Sequence, residues 1–343
     1  ISIFISIFLL LNEYSIIIVK GSIIISKLIE VLILKVYVKE KYPEIKFDSK
    51  NSLQKIEQQS NALIHQVSSV VVYNTDLIIL TLFMSTSENL KEVSVYAVYS
   101  MGFSIINNLV TTLTTGMDAI FGDMIARDLK KKMAEIFDSY EYWYLLVVYI
   151  LFTCFIVLIL PFIYCYTKNI SDINYLRMGV GVLFGINGIL ATLKDPCGVL
   201  IKAFGHYRET QRFTLGEAII NIIISIVLVN KWGIQGVLLG TAISHLYISI
   251  EFSRYVNGKL LFRNWKTTFK NNFFNILIMV ILVIIEIRLI PIESTWYTWI
   301  IKALIVSLVN TLIFIIGNYF INGNEMKKGK QIYECLIMKK SCR

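Results

Sequence analysis

Hydrophobic residues in this chain are gathered into ten runs, most of them about twenty residues long, separated by short polar stretches. The runs are 1–11 (incomplete), 14–38, 61–84, 93–121, 142–166, 173–203, 213–229, 233–252, 269–286 and 295–320. A helix of that length crosses the hydrocarbon core of a bilayer, which needs about 20 apolar residues. Strands of a membrane barrel would alternate over short segments instead. The expected fold class is therefore all-α: a polytopic membrane helix bundle of about ten transmembrane helices. Composition supports this, with 56% hydrophobic and 17% charged residues over 343 positions, against about 25% charged in soluble domains. Mean hydropathy is +0.65.

The polar stretches are not equivalent. Alternate loops, together with the C-terminal tail, hold twenty-three lysines and arginines, and the intervening loops hold only Lys91, Lys168, Lys231 and Arg288. Basic loops face the cytoplasm, so the C-terminus and the loop after the second run are expected there, in a bacterial cell membrane. This placement also accounts for the net charge of +9 without nucleic acid. The chain opens at Ile1 inside an apolar run, without the basic leader and cleavage site of a signal peptide. It is expected to lack the start of the working protein.

One polar connection is long. It reads "KEKYPEIKFDSKNSLQKIEQQ" and separates two helices from the next eight. Residues 39–58 are expected to form a cytoplasmic linker between two lobes. The outer loops are short, and no domain outside the membrane is expected.

Polar residues inside the runs fall at helical spacing. The run from Asn61 carries Asn61, His65, Ser69, Tyr73 and Asp76 on one face. The next carries Tyr96, Ser100, Ser104, Asn107 or Asn108, Thr111, Thr115 and Asp118. The run from 173 carries Arg177, Gly181, Gly185, Gly188, Thr192 and Asp195, and the run from Phe213 carries Thr214, Glu217, Asn221 and Ser225. Strongly polar groups at the centre of a membrane helix cost about 2.5–3.5 kcal/mol on insertion scales and face protein or a wet cavity. Four such faces can surround a hydrated cavity. Packing seams are the competing explanation, since small residues let helices approach and Ser, Thr and Asn bond across them. In the second run, Lys20 and Lys27 share a face, and Glu30 lies three residues beyond Lys27. Lys27 is expected to contact an anionic ligand or to pair with Glu30. Lys20 is near enough to the outer end to snorkel.

The five cysteines have no metal-ligand spacing, and neither a disulfide framework nor a zinc site follows. No metal motif, nucleophile elbow or phosphate loop is present. No catalytic residue and no cofactor are expected, and His65, His206 and His245 make no site by spacing.

The stretch "KDPCGVLIKAFGHYRETQRF" breaks the sixth run. Pro196 and Gly198 are expected to kink the helix, and Gly205 to end it. The pattern "P...L.KA.G.Y...Q", then an amphiphilic helix, then "WGI.GV..GT.IS" and a basic loop resembles the polysaccharide-transporter branch of the MOP flippase superfamily, the Wzx-like oligosaccharide flippases. "YNTDLIIL" at 73–80 resembles the acidic motif that opens the second lobe there. The resemblance covers 59–262 well and the flanking helices by count alone.

It implies two six-helix lobes in a V around a central cavity, rocking to give alternating access. Residues 1–38 would be the last two helices of a truncated first lobe, 59–257 the second lobe, 258–322 two additional helices and 323–343 a basic cytoplasmic tail. The implied substrate is an oligosaccharide repeat unit on a polyprenyl pyrophosphate. Other implied partners are membrane lipid and the polysaccharide assembly machinery. Lys27, Lys20, Arg177 and Asn107 are the expected substrate contacts. Asp76, Glu217 and His65 are the expected sites for a coupling proton or cation. Three alternatives stay open: a drug or ion antiporter of the same superfamily, a membrane-embedded polysaccharide polymerase or transferase, and a fragment that inserts without transporting. The short outer loops weigh against the polymerase.

Overall fold

The computed structural model describes residues 2–42, 58–83, 90–264 and 266–337, and every regular element among them is helical. The chain divides into two compact units, Ile1–Glu57 and Gln58–Arg343. The proposed linker 39–58 and the end of the basic tail lie largely outside the described residues.

The first unit is a short helix, α1 (Ser2–Leu11), packed on a long one, α2 (Ile16–Lys41). Glu13 makes the turn between them in the left-handed region, at φ 59°. Ser15 caps α2, accepting from the Ile17 amide at 3.4 Å. Further along α2, Ser22 and Ser26 donate back to the carbonyls of Val19 and Ser22, so their polarity is spent within the helix.

The second unit contains α3 (Gln59–Phe83), α4 (Leu90–Thr112), α5 (Met117–Ala126), α6 (Lys130–Thr167), α7 (Met178–Thr192), α8 (Asp195–Ala203), α9 (Tyr207–Tyr255), α10 (Lys266–Leu289) and α11 (Trp296–Ile337). Seven stretches among the described residues are long and apolar enough to cross a membrane: Gln59–Phe83, Leu90–Ala126, Lys132–Thr167, Met178–Ala203, Tyr207–Leu260, Asn272–Leu289 and Trp296–Ile321. The chain is thus an all-α helical membrane bundle; α1 and α2 are not among the seven.

One of the seven, Tyr207–Leu260, folds back on itself. A straight helix would hold Glu217 and His245 about 42 Å apart, at about 1.5 Å per residue. Their side chains are instead 2.9 Å apart. The chain reverses at Gly233, whose φ of 52° and ψ of −128° are not helical. Residues 207–232 and 234–255 therefore run antiparallel, in the order expected for "NKWGIQG" as a turn. The arms touch closely: a Cβ on Gly236 would strike the Leu228 carbonyl, and one on Gly240 would lie 2.7 Å from the Ser225 amide nitrogen.

Two boundaries differ from the expectation. The run 93–121 is not one helix: α4 ends at Thr112, and Gly116, left-handed at φ 86°, starts α5. Thr115 and Asp118 therefore leave the α4 face, and Asp118 falls in the first turn of α5. Pro196 does not kink a continuous helix either. It occupies the first turn of α8, where a missing N–H leaves no bond unmade. The break precedes it, at Leu193 and Lys194.

The central helix is α6, which packs against α4, α7, α10 and α11. Tyr149, Phe152, Ile156 and Ile159 are buried along it. The glycine face of α7 lies here: Cβ atoms on Gly181, Gly185 and Gly188 would run into Ile159, Ile156 and Phe152. These glycines serve close packing, as small-residue seams in membranes do. On the far side, Asn310 of α11 donates to Glu286 of α10 at 3.1 Å, and Asn318 donates to Asn275 at 2.9 Å. These bonds join α10 to α11.

Candidate functional site

The polar faces of α3, α4, the α7–α8 junction and α9 meet around two neighbouring hollows. The larger, about 420 Å³, is lined by His65, Ser69, Asn107, Lys194, Asp195 and Glu217, among others. The smaller, about 290 Å³, is lined by Asp76, Tyr96, Ser100, Asn107, Thr241 and His245, among others. Tyr73 and Asn107 line both. The spacing of polar residues on α3, α4 and α9 produces this: α3 packs along α9 and α4 against α7, with the polar stripes of α3, α4 and α9 turned to the shared space and Asn187, Thr192, Lys194 and Asp195 added from α7 and its junction with α8.

Asp76 is 4% exposed. Thr241, on the second arm of α9, donates to its carboxylate at 2.8 Å, and Tyr96 of α4 donates at 3.2 Å. Asn221, on the first arm, donates in turn to the Thr241 hydroxyl at 2.9 Å. Three helices thus converge on one carboxylate. Asn187 and Asn221 each keep a buried carbonyl oxygen without a hydrogen-bond partner among the described residues. Such acceptors are rare inside proteins, and Asn187 also lines the smaller hollow.

Glu217 is 2% exposed and lies one helical turn from Asn221. Its Oε1 accepts from Lys194 Nζ at 2.6 Å and from His245 Nδ1 at 2.9 Å. A carboxylate only accepts, so Nδ1 of His245 carries the proton. Beside Lys194, Asp195 accepts from Tyr144 of α6 at 2.6 Å. A lysine, a glutamate and a histidine in a nearly closed space are held here by pairing, since an isolated buried charge would not persist.

His65 faces the larger hollow and also fastens the elbow. Its Nε2 is 3.1 Å from the Tyr207 carbonyl and 3.2 Å from the Thr210 hydroxyl. Arg177 stands apart from both hollows, at the start of α7. Its guanidinium forms two bonds to Glu92, at 2.5 and 2.7 Å, and this pairing raises its pKa. The hydroxyl of Tyr99 lies 2.9 Å from its backbone carbonyl. In the first unit, Lys27 is exposed and pairs with Glu30 at 2.7 Å; Lys20 is exposed.

Asp76, Asn107, Glu217 and His65 therefore share one region. Lys194 and His245 were not expected in it. Lys194 opens the quoted elbow, where it passes for a loop charge. His245 follows Thr241 by four residues, one turn along the same face, and that spacing was the available signal.

In comparison with known proteins, the chain matches no family model, no curated protein and no solved structure.

Proposed function

We propose that this chain is part of a flippase that moves polyprenyl-pyrophosphate-linked oligosaccharide repeat units across the cell membrane for surface polysaccharide assembly. The observation that supports this most is the convergence of the polar faces of α3, α4 and α9 with the α7–α8 junction on adjoining hollows inside a membrane bundle, with Asp76, Asn107, Lys194 and Glu217 turned inward. Flipping needs a wet path for sugars and pyrophosphate while the lipid tail stays in hydrocarbon. Hydroxyl and amide groups suit sugars, and lysine suits phosphate. Asp76 and Glu217, each tied to more than one helix, are suited to link a proton or cation to lobe motion. On this reading the chain holds about ten transmembrane helices, with its C-terminus cytoplasmic.

The test is export of lipid-linked sugar in a flippase-deficient strain that expresses the gene encoding this chain. Export is expected to be restored, and to fall at least tenfold with Asp76→Asn. Export that Asp76→Asn leaves unchanged removes Asp76 from the mechanism, and a strain that is not rescued removes the flippase assignment. Lys27→Ala, assayed alongside, decides whether Lys27 contacts the substrate or only pairs with Glu30.

A further inference from the structure

We propose that Glu217 exchanges partners: a phosphoryl anion entering the larger hollow takes Lys194 from it, and a proton taken up by His245 replaces the lost positive charge. The inference rests on the transporter reading for its biological sense, but its geometry is independent of it. One carboxylate oxygen, Glu217 Oε1, is shared by Lys194 and His245. Lys194 lines the larger hollow and its side chain is 18% exposed, while Glu217 and His245 are 3% and 5% exposed. The lysine is thus the member of the trio within reach of a ligand. Lys202, one turn beyond Cys197 and Gly198 on α8, lines the same hollow, is exposed and makes no ion pair among the described residues. It is placed to draw an anion inward.

Charge bookkeeping then sets the consequence. At rest the trio is neutral: a lysine cation, a glutamate anion and a histidine protonated on Nδ1. When the anion holds Lys194, Glu217 keeps a negative charge in a site that is nearly closed to water, which is costly. A proton from water added at His245 Nε2 gives an imidazolium, with Nδ1–H still donating to Glu217, and the buried pair is neutral again. His245 lines the smaller hollow, the route open to that proton. The other titratable groups facing this space are His65, Tyr73 and Asp76 from α3, Tyr96 from α4, Tyr144 from α6, and Asp195, Lys202 and Tyr207 from the elbow. Asp195 is held by Tyr144 and Asp76 by Thr241. His245 is the one in direct contact with Glu217.

The test uses the purified chain in nanodiscs, with inorganic pyrophosphate as the probe, titrated between pH 6 and 8. Linkage of one proton changes the apparent Kd by up to about tenfold per pH unit. Wild type is expected to show that slope in excess of His245→Gln, which controls for the titration of pyrophosphate itself. Glu217→Gln, nearly isosteric, frees Lys194 beforehand and is expected to bind several-fold tighter with no excess slope. Lys194→Gln is expected to lose binding at least tenfold while eluting as a monodisperse, folded species. Equal slopes in wild type and His245→Gln overturn the proton exchange. Unchanged binding in Lys194→Gln overturns the anion site. Farnesyl pyrophosphate distinguishes the source: binding at least tenfold tighter than inorganic pyrophosphate identifies a lipid-borne anion, and equal binding overturns that identity in favour of a free one. None of these outcomes depends on export, so failure of the flippase assignment is scored separately.

Discussion

Thr241 lies 165 residues from Asp76 in sequence, yet its hydroxyl donates to that carboxylate at 2.8 Å. The bond ties the second arm of the α9 hairpin to α3, and Asn221 ties in the first arm through the same hydroxyl. Cross-helix hydrogen bonds inside membranes average about 0.6 kcal/mol and reach about 1.7. With a buried carboxylate as acceptor, Thr241→Val is expected near the upper end. A double-mutant cycle with Asp76→Asn, read from unfolding in detergent, is expected to give a coupling of about 1 kcal/mol or more. A coupling near zero would mean that α3 and α9 are joined by packing alone.

The Lys194–Glu217 pair predicts an asymmetry. Glu217→Leu leaves a lysine buried without its anion, and breaking a buried pair in this way costs about 3–5 kcal/mol. Lys194→Met is expected to cost less, because His245 still donates to Glu217. The double variant Lys194→Met with Glu217→Leu is expected to be more stable than Glu217→Leu alone. Thermal unfolding of the three variants in one detergent checks the ranking, and a double variant as unstable as the sum of the singles would refute it.

Much of this was readable from the periodic placement of polar residues. The stripe from His65 to Asp76 needs nothing beyond 3.6-residue geometry, and the glycines of "WGIQGVLLG" announce a close hairpin. Legibility ended where two helices had to be matched. Lys194 looks like a loop residue until the α7–α8 break places it beside Glu217, 23 positions later. Arg177 has the spacing of a cavity residue, but Glu92, 85 positions earlier, claims its guanidinium. Partners that distant are set by which helix packs on which, and one helix's own pattern does not record that. The α4–α5 break was missed for a local reason: the threonines of "TTLTTG" at 111–116 fit the helical polar stripe as well as they fit a turn, and only Gly116 marks the turn.

Two glycines separate rigid from adjustable packing. In Gly188→Ala the new methyl meets the Phe152 ring. Overpacking costs about 1–3 kcal/mol, and a companion Phe152→Leu is expected to recover most of it. In Gly236→Ala the obstacle is the Leu228 backbone carbonyl across the hairpin. No side chain can be trimmed there, so companion substitutions at neighbouring positions are expected to leave the loss in place. Melting temperatures of the single and paired variants test the contrast.

The Arg177–Glu92 pair carries a pH prediction. Hydrogen bonding to Glu92 raises the arginine's pKa above its ordinary value. A raised folded-state value gives stability that is fully present below the unfolded value and is lost only as pH rises beyond it. From the arginine side, then, no loss is expected between pH 7 and 10. Arg177→Lys keeps the charge but not the two-pronged geometry, and is expected to cost about 1 kcal/mol at pH 7. Parallel melting curves at pH 7 and 10 test both statements; an alkaline loss confined to wild type would contradict the pairing.

The hollows themselves can be probed by chemistry. Asn107 lines both, whereas Leu109, two residues on, is 51% exposed on the outer surface of α4. Thiols react as thiolates, and thiolates do not form in hydrocarbon. With the five native cysteines replaced, Asn107→Cys is expected to react with a charged, water-soluble thiol reagent, and Leu109→Cys in the same membranes to react at least tenfold more slowly. Equal protection of both would mean that water does not reach the polar faces, and the sugar path would have no place in this bundle. Reaction at Asn107→Cys that inorganic pyrophosphate slows would further place the anion beside α4, in the hollow that Lys194 lines.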